Sequence, residues 1–185
     1  MSVSGITRRG LIGAAGAGLA WAVLPFTAGA DEGARGVSES GSGFSPSEGA
    51  RRALASSPLV YVSPLRSDGR ESRCHGEVWF FEDAGDVVIG TGRDRWKGRA
   101  VAAGLDRARV WVGDFGPVSR AGDRYRAAPT FLTRASLDTD PATFERLLAR
   151  FASKYADEWG KWGPRFEKSY ADGSRILIRY APIAG

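Results

Sequence analysis

The sequence predicts a mainly β, α+β fold in which about six antiparallel strands form a small closed or partly closed barrel. Short β-rich runs alternate with strong turn signals, short helical patterns flank them, and one longer amphipathic helix lies toward the C-terminus. A barrel is favoured over an open sheet because closure hides the strand edges. The 185 residues, 43% hydrophobic and 25% charged, are enough for one soluble domain and hardly for two.

The first thirty residues resemble a secretory signal with a twin-arginine pair. Arg8 and Arg9 precede an apolar run rich in Gly and Ala, and small residues allow cleavage after Ala30. A retained membrane anchor is the less favoured alternative, because the run is short for a span of about 20 residues and contains Pro25. We expect export by the twin-arginine machinery to a periplasmic or extracellular location. Resemblance to such signals also implies folding, often around a cofactor, before export.

Charge and cysteine content exclude several classes of function. The formal net charge is +5, but both signs are mixed along the chain, so no nucleic-acid partner is expected. Cys74 is the only cysteine, which rules out an intrachain disulfide. His75 is the only histidine, and neighbouring strand residues point to opposite faces, so no metal site is expected from this pair.

Residues 31–44, rich in Gly, Ser and acidic side chains, predict a flexible linker before a folded domain over 45–185. The segment Ser45-Pro46-Ser47-Glu48 is typical of a capping box with Ser45 as N-cap. It predicts a short helix that ends near Ser56.

Two turns organise the first strands. The β-rich residues 59–63 precede the turn signal Asp68-Gly69, after which 70–82 has an extended pattern. A second turn at 83–85 leads into a strand over 87–90. These signals predict a meander of three antiparallel strands.

The second half predicts a short helix over 97–104 and strands over 107–113 and 123–134. Asp138, Thr139 or Asp140 can then cap the amphipathic helix that begins with Pro141. The aromatic segment 159–170 is either a lid over the barrel or an interface. A final strand is predicted over 175–180.

A basic junction follows the strand 87–90 and is the candidate ligand site. A Gly-Thr-Gly turn centred on Thr91 precedes four cations within seven residues, Arg93, Arg95, Lys97 and Arg99. Glycines allow close backbone approach and the cations neutralise charge, so the pattern fits an anion such as a phosphate. A basic, solvated turn is the alternative.

With this order of elements, the chain resembles the pyridoxamine 5′-phosphate oxidase-like, FMN-binding split β-barrel family over about 59–182. The resemblance rests on the strand containing Val78-Trp79-Phe80 and on the junction Gly90-Thr91-Gly92-Arg93-Asp94. It implies a split barrel, a site for FMN between two subunits of a homodimer, and a phosphate held by residues matching Thr91 to Lys97.

The resemblance also implies that the flavin ring lies over the strand matching Arg73 to Val78. Gly76 allows close approach, and His75 is a weak catalytic candidate as proton donor, substrate contact or haem ligand. The chain departs from the family pattern at Trp96, Arg95 and Glu77, where arginine, serine or threonine, and proline are common. The implied cofactor-binding set is Thr91, Arg93, Arg95, Lys97, His75 and Gly76.

These expectations describe an exported FMN-dependent oxidoreductase that acts on an unidentified small molecule. Alternatives on the same barrel are a protein that binds flavin or haem without turnover, a deazaflavin-dependent reductase, and an interaction module without a cofactor. The sequence assigns no catalytic residue beyond the weak candidate His75.

Overall fold

The computed structural model describes residues 44–184, whose strands form one seven-stranded antiparallel sheet. The strands are β1 (Val60–Pro64), β2 (Gly76–Val78), β3 (Phe81–Asp83), β4 (Asp86–Gly92), β5 (Arg107–Val112), β6 (Thr130–Asp138) and β7 (Arg175–Ile183). The helices are α1 (Glu48–Ser56), α2 (Trp96–Ala102), α3 (Val118–Ala121), α4 (Pro141–Lys154) and α5 (Ala156–Ala171). The predicted signal (1–30) and nearly all of the predicted linker (31–44) lie outside the described residues.

The strand order β2-β1-β5-β6-β7-β4-β3 shows how the sheet closes. β2 and β3 form its opposite edges, yet only Trp79 and Phe80 separate them in the sequence. The sheet must therefore curl until its two edges lie near each other. Among the described residues β2 pairs with β1 and β3 pairs with β4, so the barrel remains split between them. The predicted split antiparallel barrel is confirmed, with seven strands in place of about six.

The barrel interior is filled by the inward-facing residues of the strands. β4 contributes Val87 and Ile89, and β7 contributes Ile176, Ile178 and Tyr180. These side chains are buried together with apolar residues of β1, β5 and β6, and α1 and α2 pack against the same core. Burial of this apolar surface is the main source of the fold's stability.

Two layers cover parts of the outer surface. Helices α4 and α5 pack on β3, β4 and β7, and Phe151 and Phe166 are buried there. The second layer contains α3 and a short 3₁₀ turn at Arg124–Ala127, which place Tyr125 against Tyr61 of β1 and Trp111 of β5. None of the described helices is long and apolar enough to cross a membrane.

The meander predicted for the first strands is wrong in its middle strand. The pattern over 70–82 contains two short strands, β2 and β3, at opposite edges of the sheet. The chain leaves β2 because the amide of Phe80 donates to the hydroxyl of Tyr155 instead of a neighbouring strand. The turn signals themselves are correct, since the backbone of Gly69 and Gly85 is left-handed.

Three other expectations also change. The strand predicted over 123–134 begins only at Thr130, because the preceding residues turn to bury Tyr125. The segment 159–170 belongs to α5, so it is a covering helix and a second long C-terminal helix. The N-cap of α1 is Ser47, whose hydroxyl accepts from the amide of Ala50 at 3.2 Å, and not Ser45.

Candidate functional site

The predicted anion site lies where β4 runs into α2, at one end of the barrel. Thr91 faces the interior and is 8% exposed, and its strand partner Ile176 belongs to the core. A methyl group at Gly98 would lie 2.7 Å from the carbonyl oxygen of Arg93. Only glycine therefore lets α2 pack directly on the turn. This contact fixes the directions of the Trp96 and Lys97 side chains.

Lys97 lies beside the edge strand β2. Its Nζ is 3.5 Å from the position that a methyl group on Gly76 would occupy, and 4.2 Å from the centre of the Trp96 ring. Gly76 is paired with the core residue Val62, so this contact is on the inner face of β2. Lys97 thus occupies the split end of the barrel.

The Lys97 ammonium has no hydrogen bond or ion pair within residues 44–184. Burial lowers the pKa of Lys97 to about 8, and the negative charge of Glu77 opposes that shift only in part. A cation withdrawn from water without a bound partner is unfavourable, so an anion at this position would be stabilised.

The other cations of the junction do not converge on Lys97. Arg93 is exposed, and its Nε donates to the carbonyl oxygen of Gly173 at 3.0 Å on the β7 side. Arg95 is exposed and packs against Gly92. Arg99 donates from Nη1 to the carbonyl oxygen of Asp94 at 2.9 Å. The four cations are close together in the sequence, but the sequence does not show that their side chains point in different directions.

His75 lies on the other face of β2. Its ring centre is 6.0 Å from that of Tyr125, and Nδ1 is buried without a hydrogen-bond partner among the described residues. Glu77, two residues further along β2 and on the same outer face, accepts a hydrogen bond from the amide of Val118 at 3.0 Å. The six implied cofactor residues therefore divide into an inner group, Gly76, Thr91 and Lys97, an outer residue, His75, and two surface arginines.

The inner group can hold one anion and a flat ring at the split. Lys97 supplies the charge, and Gly76 presents backbone without a side chain. These residues fit the phosphate of FMN, although Arg93 and Arg95 would need to turn to reach it. No cluster of metal-ligating side chains occurs in the part of the chain that the structure describes. Trp96 forms the aromatic wall beside Lys97, a role that its sequence position does not reveal.

Solved structures with similar folds were found, whereas no protein-family model and no curated protein matches the chain. The haem storage protein HutZ from Vibrio cholerae aligns with a TM-score of 0.52 and 12% identity, over 77% of this chain and 93% of that protein. The conserved hypothetical protein Rv2991 from Mycobacterium tuberculosis aligns with a TM-score of 0.50 and 17% identity, over 73% and 80%.

A candidate pyridoxamine 5′-phosphate oxidase from Listeria innocua aligns with a TM-score of 0.47 and 16% identity, over 72% of this chain and 90% of that protein. At these identities the similarity concerns the fold. The alignments with HutZ and Rv2991 agree with the split barrel derived from the strand order, and the choice of ligand depends on this chain's own residues.

Proposed function

We propose that this protein binds FMN at the split end of its barrel and is a flavin-dependent oxidoreductase acting on a small molecule. The observation that carries the proposal is the partly buried Lys97 ammonium, which lies beside Gly76 without an acceptor in residues 44–184. A phosphate is the ligand group that would complete this environment. FMN, when bound, would supply hydride or electron transfer.

In this proposal the residues at the split have separate tasks. Lys97 neutralises the phosphate, Gly76 lets the flavin ring approach β2, and Thr91 offers a hydroxyl at the same barrel end. Arg93 and Arg95 are exposed and attract the anion from the surface. The resemblance to the oxidase-like family adds a homodimer with the flavin between subunits, and the twin-arginine pattern adds export to the proposal.

Comparison of FMN with riboflavin tests the phosphate site, because the two ligands share the ring and differ in the phosphate. Titration of the full chain, followed by flavin fluorescence, should give at least tenfold tighter binding of FMN. Lys97→Ala should remove most of that difference and leave riboflavin binding unchanged. Lys168→Ala, at an exposed lysine on α5, is the matched control and should bind like the unaltered protein.

The same titration can contradict the proposal. Equal affinity for FMN and riboflavin, or unchanged FMN affinity in Lys97→Ala, would show that Lys97 does not hold the phosphate. The absorption spectrum of protein purified from its native host then separates flavin from deazaflavin, whose phosphate would meet the same lysine.

Haem binding without turnover is a second candidate, favoured by one observation. His75 is half-buried on the outer face of β2, and its Nδ1 has no partner among the described residues. Imidazole is a common axial ligand of haem iron. A Soret band that His75→Ala removes would support this candidate, and haem binding unaffected by that substitution would exclude His75 as the ligand.

A further inference from the structure

A cavity of 470 Å³ lies on the outer side of the split, between β2, β4 and α5. Its lining includes Glu77, Trp79, Gly90, Trp162, Phe166 and Arg175. Gly76, Thr91 and Lys97 are not among its lining residues, so this cavity is distinct from the Lys97 site. Its volume is in the range of small-molecule sites, about 300–1,000 Å³.

Aromatic rings form the walls of the cavity. Trp79 and Phe166 are parallel to within 4°, with ring centres 6.5 Å apart, and Trp162 is steeply inclined to Trp79 at 75°. A methyl group at Gly90 would lie 3.0 Å from Cε1 of Phe166, so the glycine gives this ring its place against β4. Such surfaces favour a flat aromatic ligand through stacked and edge contacts.

Arg175 supplies the cation of the cavity. Its guanidinium carbon is 3.9 Å from the centre of the Phe166 ring, Nε donates to the hydroxyl of Ser169 at 2.8 Å, and Nη1 donates to the carbonyl oxygen of Gly90 at 3.2 Å. Both acceptors are neutral, and no ion pair of Arg175 occurs within residues 44–184. Burial lowers the pKa of Arg175, and no carboxylate among the described residues offsets this effect.

The two glutamates of the cavity accept hydrogen bonds from groups other than Arg175. Glu77 accepts from the amide of Val118 at 3.0 Å. Glu158 is exposed, lies in the lining, and accepts from the indole nitrogen of Trp162 at 3.3 Å. Neither carboxylate neutralises Arg175, whose guanidinium retains three N–H donors beyond the two that are used.

We propose that this cavity binds a planar aromatic carboxylate, with its ring among Trp79, Trp162 and Phe166 and its carboxylate on the Nη groups of Arg175. A carboxylate can accept two parallel hydrogen bonds from a guanidinium, and the aromatic walls limit the access of water to that pair. The proposal does not depend on FMN binding, because the cavity lining contains neither Lys97 nor Gly76.

Calorimetric titration of the full chain with three ligands of one shape tests the proposal. The ligands are 2-naphthoate, neutral 2-naphthamide and cationic 2-naphthylmethylamine. We expect 2-naphthoate to bind at least tenfold more tightly than the amide. Arg175→Gln should remove this difference and leave amide binding unchanged. Equal binding of acid and amide, tighter binding of the amine, or no binding of 2-naphthoate would overturn the proposal.

A second variant keeps the test decisive if Arg175→Gln does not fold. Trp162→Ala removes a half-buried wall of the cavity without touching the bonds of Arg175, and should weaken 2-naphthoate at least fivefold. Lys161→Ala, at the exposed neighbour on the same helix, is the matched control and should leave affinity unchanged. Unchanged affinity in a folded Trp162→Ala protein would show that the ligand does not occupy this cavity.

Discussion

The hydroxyl of Tyr155 accepts a hydrogen bond from the amide of Phe80 at 2.9 Å. The same oxygen lies 2.9 Å from the carbonyl oxygen of Pro58 and 3.0 Å from that of Phe80, either of which can accept its proton. The Tyr155 ring also stacks on Trp79 with ring centres 4.1 Å apart. The end of α4 thus holds the chain where it passes from one edge of the sheet to the other.

Tyr155→Phe should destabilise the protein by about 1–3 kcal/mol, because it leaves a buried amide without an acceptor. Tyr170→Phe is the matched control, since that tyrosine stacks on Phe144 and its hydroxyl makes no hydrogen bond within residues 44–184. Urea unfolding should show a lower midpoint for the first variant and an almost unchanged one for the second. Similar midpoints for both variants would show that the hydroxyl of Tyr155 is dispensable.

Arg179 is the centre of a charged cluster that joins β6, β7 and the turn between β3 and β4. It contacts Asp83 at 2.6 Å, Asp138 at 2.8 Å and Asp86 at 3.1 Å, and its side chain is 22% exposed. Arg179→Gln should lower the free energy of unfolding by about 2 kcal/mol, as expected for lost hydrogen bonds to charged groups. Arg146, which also contacts Asp83, is 46% exposed, so Arg146→Gln should cost less than about 1 kcal/mol.

Thermal unfolding of the two arginine variants at neutral pH checks this order. An equal or larger loss in Arg146→Gln would contradict the assignment of Arg179 as the centre of the cluster. Both variants should have intact secondary structure by circular dichroism, since neither arginine lies in the barrel interior.

Acid should weaken the same cluster. Hydrogen bonds from Arg146 and then Arg179 hold the pKa of Asp83 below its usual 3.8, against the opposing effect of burial. Its contribution is therefore present above pH 3.8 and is lost as pH falls through the lower, folded-state pKa. Stability measured between pH 5 and pH 2 should fall less steeply in Arg146→Gln than in the unaltered protein. A steeper fall would contradict this role.

The fold was predictable from sequence wherever local chemistry decides the structure. Asp140 and Pro141 begin α4 as expected, because capping depends on adjacent residues. The division of 70–82 into β2 and β3 depends on Tyr155, a partner 75 residues away from Phe80, and no local pattern contains that contact. α5 was hidden because Pro164 and two glycines break its helical pattern, while packing on the barrel stabilises it.

The sequence predicted which stretch of the chain carries the site, but not the directions of its side chains. A strand does run into a helix here, but Thr91 still belongs to β4 and only 93–95 form the turn before α2. Lys97 of α2 meets Gly76. The direction of Arg93 depends on the carbonyl group of Gly173 in a distant turn, which the sequence does not place beside it. No sequence pattern predicts a ligand site at Arg175, because an arginine in a strand ordinarily indicates a solvated face of the sheet.

Two glycine substitutions should have opposite effects. Gly98→Ala places a methyl group 2.7 Å from a carbonyl oxygen of the turn, so it should destabilise the protein by about 1–3 kcal/mol through displacement of α2. Gly49→Ala, in α1, meets no atom of residues 44–184 within 4 Å and should be neutral or stabilising by up to about 1 kcal/mol. Urea unfolding compares them, and equal midpoints would contradict the close contact at Gly98.

Lys97 should give stability and anion binding opposite dependences on pH. The pKa of Lys97 is about 8 in the folded protein, whereas an ordinary lysine, as in the unfolded chain, has a pKa of 10.5. The unfolded chain therefore binds more protons at alkaline pH. Stability should therefore rise with pH between about 7 and 9.5, whereas FMN affinity should fall as the ammonium loses its proton. Lys154, whose pKa burial also lowers to about 8, contributes to the first effect with the same sign.

Two methionine variants separate these lysines. Lys97→Met should reduce the rise of stability with pH and also remove the pH dependence of FMN affinity. Lys154→Met should reduce the rise of stability alone, because Lys154 lies against the Phe80 ring, 3.4 Å from its centre, and not at the split beside Gly76. Urea unfolding and FMN titration at pH 7, 8, 9 and 9.5 measure both quantities. FMN affinity that does not change over this range in the unaltered protein would show that the phosphate is held by groups other than Lys97.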